Sequence, residues 1–490
     1  MRIVIDMQGA QTASRFRGIG RYTLSLAKAI VRNRGEHQIL LLLNGLLQES
    51  LQPIRLAFEG LLPAENMLVW TAPDPVHISD PANRGREALA KLLREEVLAS
   101  LQPDMVCISS FFEGYTDNAV TSIRQLDMRT PVCAITYDFI PLLNPGQYLD
   151  HDPAYARYYK DKVQELARAD LLLAISESSR LEALEHLGLP PGQVVNIAAA
   201  CDACFQPLAH ITEAHRAVLK RWGITRPFVL YTGGADERKN LPRLIEAFAR
   251  LPQPIRQRHQ LLFAGKLSAS QQGQLQGEAA RQGLTSEDLR FTGFVSDDDL
   301  VLAYSLCQLF VFPSWHEGFG LPPLEAMSCG APVIAANTSS LPEVVGWEEA
   351  LFDPFDVDAI SRKMARALGE VTFADALKAH APQQCQQFSW DRSAITAIEA
   401  MARIHQGRLA AETQTRPAPS RSGYENLLSA CVDVLKKHRL TSAYDLTSLA
   451  DCMAHNEAQA AQYFQAVQRA SGPSQTAQCE NRSLSAVNQP

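Results

Sequence analysis

The chain of 490 residues contains no apolar run long enough to cross a bilayer: the longest, Ile39 to Leu47, is interrupted by Asn44-Gly45 and reaches about half of what a spanning helix needs. A secretory leader is also missing, because Met1-Arg2-Ile3-Val4-Ile5-Asp6 gives way at once to polar residues, so a cytosolic location is expected. There is no excess of positive charge. Lys and Arg number 46 against 53 Asp and Glu, a net −7, which argues against general attraction to nucleic acid. Internal repeats are lacking as well. The ten cysteines are scattered as reduced thiols would be, and the single Cys201-Asp202-Ala203-Cys204 spacing has no second ligand pair near it, so it reads as packing in a connector rather than a zinc or redox site. The first apolar run is not followed by G-x-G-x-x-G, which argues against a dinucleotide dehydrogenase.

What is present is ordinary globular material, 46% apolar and 20% charged, in a chain too long for one core and suited to two or three domains. Strand-like runs at Arg2–Asp6, 38–43, 67–70, 105–108, 132–136, 171–175 and 194–198 alternate with helical patterns at 84–101, 154–168 and 177–187. Such alternation predicts a parallel sheet with helices on both faces, where ligands collect at the carboxyl ends of the strands. A second alternating region has strand-like runs at 228–231, 261–264, 289–291, 309–312 and 332–335.

The densest chemistry lies at Phe312 to Gly330. A buried-strand run ends at Phe312, Gly318 and Gly320 allow a sharp bend, Pro322 and Pro323 suit a first helical turn, and Gly330 suits the position just past a helix end. Free N–H groups at a helix start attract an anion such as phosphate. Carboxylates repel phosphate, so Glu317 and Glu325 read as acceptors for hydroxyl groups on the same ligand. Phosphate plus polyhydroxyl suggests a nucleotide sugar.

The pair Glu317 and Glu325 with seven residues between, its glycines, and the following PPLEAMSCGAPVIA run on to Leu341-Pro342-Glu343-Val344 resemble the E-x7-E signature of the retaining family-4 glycosyltransferases, which have the GT-B fold. The resemblance implies two Rossmann-like doubly wound α/β domains facing a cleft. It also implies that Glu317 faces the donor sugar, that Glu325 holds the nucleotide ribose, and that Gly318, Phe319, Gly320 and Leu321 form the loop against the donor. The stretch RFRGIGRYTLSLAKAIVRN is similar to the branch that builds bacterial surface polysaccharides, O-antigen mannosyltransferases among them.

Three further stretches carry candidate residues. Gly18 and Gly20 stand before a helix expected from Arg21 to about Asn33, and residues 1–34 hold seven basic side chains against one acidic, so that end could meet phosphates or an anionic surface. Asp138 follows the 132–136 run and could orient the donor sugar or an acceptor hydroxyl; many relatives have His-Asp here, whereas this chain has Tyr137, so only the aspartate's role is carried over. Gly233-Gly234-Ala235-Asp236-Glu237-Arg238-Lys239 leads into a helix with two cations at its mouth. In the family an Arg after the first glycine and a Lys five residues on hold the donor diphosphate. Lys239 matches the Lys, Gly234 occupies the Arg position, and Arg238 is the expected replacement. The resemblance places Phe294 and Val295 against the nucleotide base, while His316 reads as a loop residue.

The expected organisation is an acceptor domain (1–206), a donor domain (207–388), a helix crossing back (389–406), a linker (407–423), a helical appendage serving as an interaction module or a bridge to further domains (424–470), and a disordered tail (471–490). The implied function is transfer of a hexose, mannose from GDP-mannose or a sugar from UDP, to a growing lipopolysaccharide O-antigen or lipid-linked saccharide. No metal or other cofactor is expected, and the cytoplasmic enzyme could sit peripherally at the inner membrane face. A nucleotide-sugar epimerase and a non-catalytic nucleotide-sugar-binding partner of a polysaccharide assembly complex remain as alternatives.

Overall fold

A computed structural model describes residues 1–126, 129–412, 423–440 and 442–471. Most of the expected linker (413–422) and nearly all of the expected tail (472–490) lie outside the described residues.

The first sheet has seven parallel strands: β1 (Arg2–Asp6), β2 (Gln38–Asn44), β3 (Met67–Trp70), β4 (Met105–Ile108), β5 (Val132–Thr136), β6 (Leu171–Ala174) and β7 (Val194–Asn196), in the order β3-β2-β1-β4-β5-β6-β7. The second has six: β8 (Phe228–Thr232), β9 (Gln260–Ala264), β10 (Leu289–Phe291), β11 (Leu309–Phe312), β12 (Val333–Ala336) and β13 (Leu351–Phe352), ordered β10-β9-β8-β11-β12-β13. Strands β4, β5, β6, β8, β9, β11 and β12 are buried along their whole length, and β1 and β2 in all but their first residue, which is why most of them read as continuous apolar runs rather than alternating ones. Successive residues nonetheless serve different cores. Ile3, Ile5, Ile39 and Leu41 pack on one side of the first sheet, and Val4, Leu40 and Leu42 on the other. Each sheet reverses its winding once, between β1 and β4 and between β8 and β11. At such a switch point neighbouring connections leave to opposite faces and open a crevice at the strands' carboxyl ends.

Local departures from the sequence reading are instructive. Gly18 and Gly20 are not in a loop before the helix; they form its first turn, the helix running Gly18–Arg32. A Cβ on Gly20 would lie 2.3 Å from Arg15 Cα, so glycine is required there for the Ala13–Phe16 turn to fold back onto the helix start. Cys204 is exposed rather than packed, although Cys201 is half-buried. The crossing helix extends from Trp390 to Glu412, beyond the expected end at residue 406. Its Trp390 donates to Asp202 (Nε1 to Oδ1, 2.9 Å) and meets Tyr22 edge-on at 5.1 Å, fastening it to the first domain.

The C-terminal appendage is two helices, Gly423–His438 and Ala443–Ser471, built into the wall of the first domain. Leu427, Cys431, Leu449 and Tyr463 join one of its cores. Along the β3 edge, Asn456 accepts from Thr71 N at 2.8 Å and donates to Thr71 O at 2.9 Å, Gln459 accepts from Val69 N at 3.2 Å, and His455 Nε2 lies 3.0 Å from Val69 O. Side chains thus occupy backbone groups that an edge strand otherwise offers to another chain. Among the described residues no helix is long and apolar enough to cross a membrane.

Candidate active site

Both switch points face the same cleft. The turn after β8 presents Arg238 and Lys239 in a short 3-10 turn, Glu237–Lys239, ahead of the Leu241–Ala249 helix. The loop after β11 presents Glu317 to them: Oε1 is 2.5 Å from Lys239 Nζ and Oε2 is 2.8 Å from Arg238 Nη1. Backbone contacts fix the geometry, since Arg238 also donates to His316 O at 2.9 Å and its own carbonyl accepts from Trp315 N and Ser314 Oγ at 3.0 Å. Burial pushes the Glu317 carboxyl up, but Lys239 and then Arg238 outweigh it and hold the group at about 2. Burial likewise opposes the charge on Arg238, and Glu317 more than restores it, leaving the guanidinium above its ordinary value. Gly234, across the turn, has open space where a Cβ would be.

Glu325 lies inside the Leu321–Ser328 helix and is 6% exposed. Tyr304 donates to its Oε2 at 2.9 Å and Arg21 Nη1 lies 3.5 Å from its Oε1. Burial dominates here and raises the carboxyl to about 7 in spite of Arg21 and Tyr304. Arg21 extends from the first domain and holds Asp297 at 2.5 Å as well. Neither Arg21 nor Tyr304 was singled out as a partner of Glu325 by the sequence, because that contact spans the two domains in one case and two elements of the second domain in the other.

The remaining candidates separate by position. Asp138, at the end of β5, accepts from Ile140 N at 3.1 Å; burial raises its carboxyl while the charge of Arg238 lowers it, so it faces the same cluster. Gly318 lies against the first domain, where a Cβ would come within 2.4 Å of Tyr137 O. Gly320 has φ +117°, the left-handed region that starts the following helix. Gly18 faces Leu321, whose Cδ1 lies 3.9 Å from its would-be Cβ. Gly233 adopts φ +137° beside the Tyr231 hydroxyl. Phe319 is not available as a side chain: its ring is buried edge-on against Phe388 at 5.4 Å, so the residue can contribute only backbone. Phe294 is 79% exposed at the end of β10 and Val295 is half-buried.

The two domains are tied together around this cluster. His316, a loop residue as expected, also joins the domains, its Nε2 donating to Glu182 at 2.9 Å and its Nδ1 accepting from Asn144 at 3.1 Å. Glu343 accepts from the backbone N–H groups of Glu177 at 3.0 Å and Ser178 at 3.2 Å, capping a first-domain helix from the second domain. Ser179 Oγ contacts both Tyr137 O and Gly318 O.

Two facing doubly wound domains with a cleft between them and this cluster at its centre define a sugar-transferring GT-B architecture. A family profile described as "Glycosyl transferases group 1" matches residues 218–384. The O-antigen chain mannosyltransferase B of Escherichia coli is 34% identical over 54% of this chain and 68% of its own length. The chain belongs to the group 1 glycosyl transferases. The serotype-specific mannosyltransferase WbdA of Escherichia coli is 38% identical over 93% of this chain, which spans only 53% of that longer protein. In structure, the chain is similar to HepE of Anabaena, solved with UDP and glucose, at TM-score 0.55 and 17% identity, covering 85% of this chain and all of that one.

Proposed function

We propose that this chain transfers mannose from GDP-mannose to a growing bacterial surface polysaccharide, with retention at the sugar carbon. The observation that carries the reading is Glu317 held between Lys239 and Arg238 at the second domain's switch point, between β8 and β11. The cations are already gathered and desolvated where a diphosphate would leave. As the sugar–phosphate bond breaks, the diphosphate gains negative charge, and preorganised cations stabilise that charge without a reorganisation cost. Arg238 serves in place of the family arginine absent at Gly234, its planar fork suited to two phosphate oxygens. Glu317 then faces the donor sugar and Glu325 the ribose hydroxyls, with Phe294 and Val295 at the base and Gly18, Gly20, Gly233 and the Gly318–Leu321 loop lining the donor. The acceptor hydroxyl attacks from the face the diphosphate leaves, its proton passing to a diphosphate oxygen, while Asp138 orients the sugar or that hydroxyl. Catalysis on this reading is positioning plus charge stabilisation.

The mannosyltransferase relatives support the choice of sugar and of a polysaccharide acceptor. The Arg15-Phe16-Arg17 turn, with Phe16 75% exposed, supports peripheral contact with a membrane that carries a lipid-linked acceptor. The test is incubation with radiolabelled GDP-mannose, with and without a mannoside acceptor. Transfer that requires acceptor is the expected result; interconversion of the nucleotide sugar alone, or binding without turnover, overturns the proposal.

A further inference from the structure

Beside Asp138, on the first-domain side of the cleft, lies a cluster of aromatic rings that the donor chemistry leaves unused. Phe112 and Tyr115 follow β4, and Tyr155, Tyr158 and Tyr159 face them from the Pro153–Leu166 helix. Tyr115 meets Tyr155 at 5.0 Å and Tyr158 at 5.3 Å, and Phe112 stacks on Tyr159 at 4.7 Å. Tyr158 and Tyr159 are buried, whereas Phe112, Tyr115 and Tyr155 keep part of their surface in solvent.

Polar groups edge the cluster. Glu113 is held by two hydroxyls, Thr12 Oγ1 at 3.0 Å from the loop after β1 and Ser110 Oγ at 3.0 Å from the loop after β4, so it spans the first domain's switch point. The Tyr115 hydroxyl donates to Asp152 at 3.1 Å. The Tyr159 hydroxyl is buried with no hydrogen-bond partner among the described residues. Burial, followed by the charges of Asp138 and Glu113, raises the Tyr155 hydroxyl, which places this ring within electrostatic reach of both carboxylates.

We infer that the half-exposed rings of Tyr115 and Tyr155, with Glu113 and Asp152 beside them, form the subsite for a pyranose unit of the acceptor saccharide. A pyranose presents a face of C–H bonds and an equator of hydroxyls. Aromatic rings take the face, giving contact area at low entropic cost, and carboxylates accept from the equator. Asp152 also caps the helix that carries Tyr155, accepting from Ala154 N and Tyr155 N at 3.0 Å, which fixes a carboxylate at the edge of these rings; a nucleotide would bring phosphate against Glu113 and Asp152, which repel it. The carboxylates therefore select an uncharged polyhydroxyl ligand. The subsite rests on the transferase reading above for its purpose, but not for its affinity.

The test measures saccharide binding apart from turnover. Saturation-transfer NMR and calorimetry with methyl α-mannotrioside are run on the wild type, Tyr115→Ala, Tyr155→Ala and Tyr115→Phe, alongside GDP binding and the KM for mannotrioside in transfer. Losing a ring is expected to raise the mannotrioside KM and Kd by about tenfold or more, with GDP affinity within about twofold of wild type, whereas Tyr115→Phe, which keeps the ring, changes the KM by less than about threefold. Unchanged saccharide affinity in both alanine variants, an equal fall in GDP and saccharide affinity, or a wild type that binds no mannotrioside overturns the subsite. Mannotrioside binding that depends on the two rings, in a protein that turns over no GDP-mannose, upholds the subsite and removes the proposed function.

Discussion

Arg21 and Glu325 meet across the cleft at 3.5 Å although 304 positions separate them in the chain. The carboxylate proposed to hold ribose is thus already partnered from the opposite domain. A ribose bound at Glu325 must share or displace that guanidinium, which links donor binding to the relation between the domains.

Replacing Glu325 by Ala removes the acceptor for the ribose hydroxyls and is expected to weaken GDP binding by roughly 1.5–3 kcal/mol, the range for a charged hydrogen bond. Arg21→Ala frees the carboxylate and is expected to weaken it less. Titration calorimetry with GDP decides; an Glu325→Ala variant with wild-type affinity removes the residue from the donor site.

The two glutamates are expected to respond to pH with opposite sign. Burial lifts folded Glu325 to about 7, above its ordinary value of 4.5, so its contribution to stability is greatest below pH 4.5 and falls as the pH rises through 7. Glu317, with burial outweighed by its cations and held at about 2, contributes fully above pH 4.5 and loses that contribution as the pH falls towards 2. The stability of Glu325→Gln relative to wild type should therefore rise between pH 4.5 and 7, by on the order of 3 kcal/mol. Over the same interval the relative stability of Glu317→Gln should stay level. Urea midpoints across the interval check this, and parallel trends in the two variants contradict it.

Arg238→Ala and Lys239→Ala should each lower single-turnover transfer at saturating GDP-mannose by ~10² or more, a loss of ~2.7 kcal/mol of transition-state stabilisation. The double variant should lose less than the product if both cations act on one diphosphate. Because the space in front of Gly234 is open, Gly234→Arg should fold normally and recover part of the rate lost in Arg238→Ala. A near-normal rate for Arg238→Ala assigns the second cation elsewhere, with Arg17 or Arg21 the candidates from the first domain.

Gly318→Ala should separate the domains, since its Cβ would fall 2.4 Å from Tyr137 O. Small-angle scattering is expected to show a larger radius of gyration and transfer to drop at least about tenfold, a barrier increase of ~1.4 kcal/mol. Gly277→Ala, on an open helix surface, is the comparison that should change neither. A compact, active Gly318→Ala protein shows that the contact is dispensable.

The sequence carried the strands best, because a strand buried on both faces writes itself as an unbroken apolar run, as in Leu309–Phe312. It carried Glu317, Arg238 and Lys239 to the cleft because each lies in the glycine-containing turn between a strand and the next helix. It did not show Arg21 on Glu325, His316 on Glu182 or Glu343 on the 177–187 helix, since nothing local marks a polar contact between distant segments. Nor did it show that Phe319, expected in the donor loop, packs its ring on Phe388, far along the chain, which leaves its backbone as the part that can face a ligand. The two-residue strand β13 was too short to leave a pattern. The C-terminal helices were visible as helices, but their place on β3 was not, because Asn456 and Gln459 look like surface polar residues until the edge they cover is known.

That covered edge also sets an order of events during synthesis. β3 is made early, yet its backbone partners at His455, Asn456 and Gln459 come nearly four hundred residues later, as the 385-residue separation of Asn456 from Thr71 records. At ~5–20 residues per second the edge waits roughly 20–80 s for its cover. The second domain is complete before the first can be finished, so the nascent first domain must persist with β3 open while the rest of the chain emerges. Ribosome-bound chains arrested before and after residue 463 should differ in proteolysis near β3, and equal protection in both would show that the edge closes without its helix.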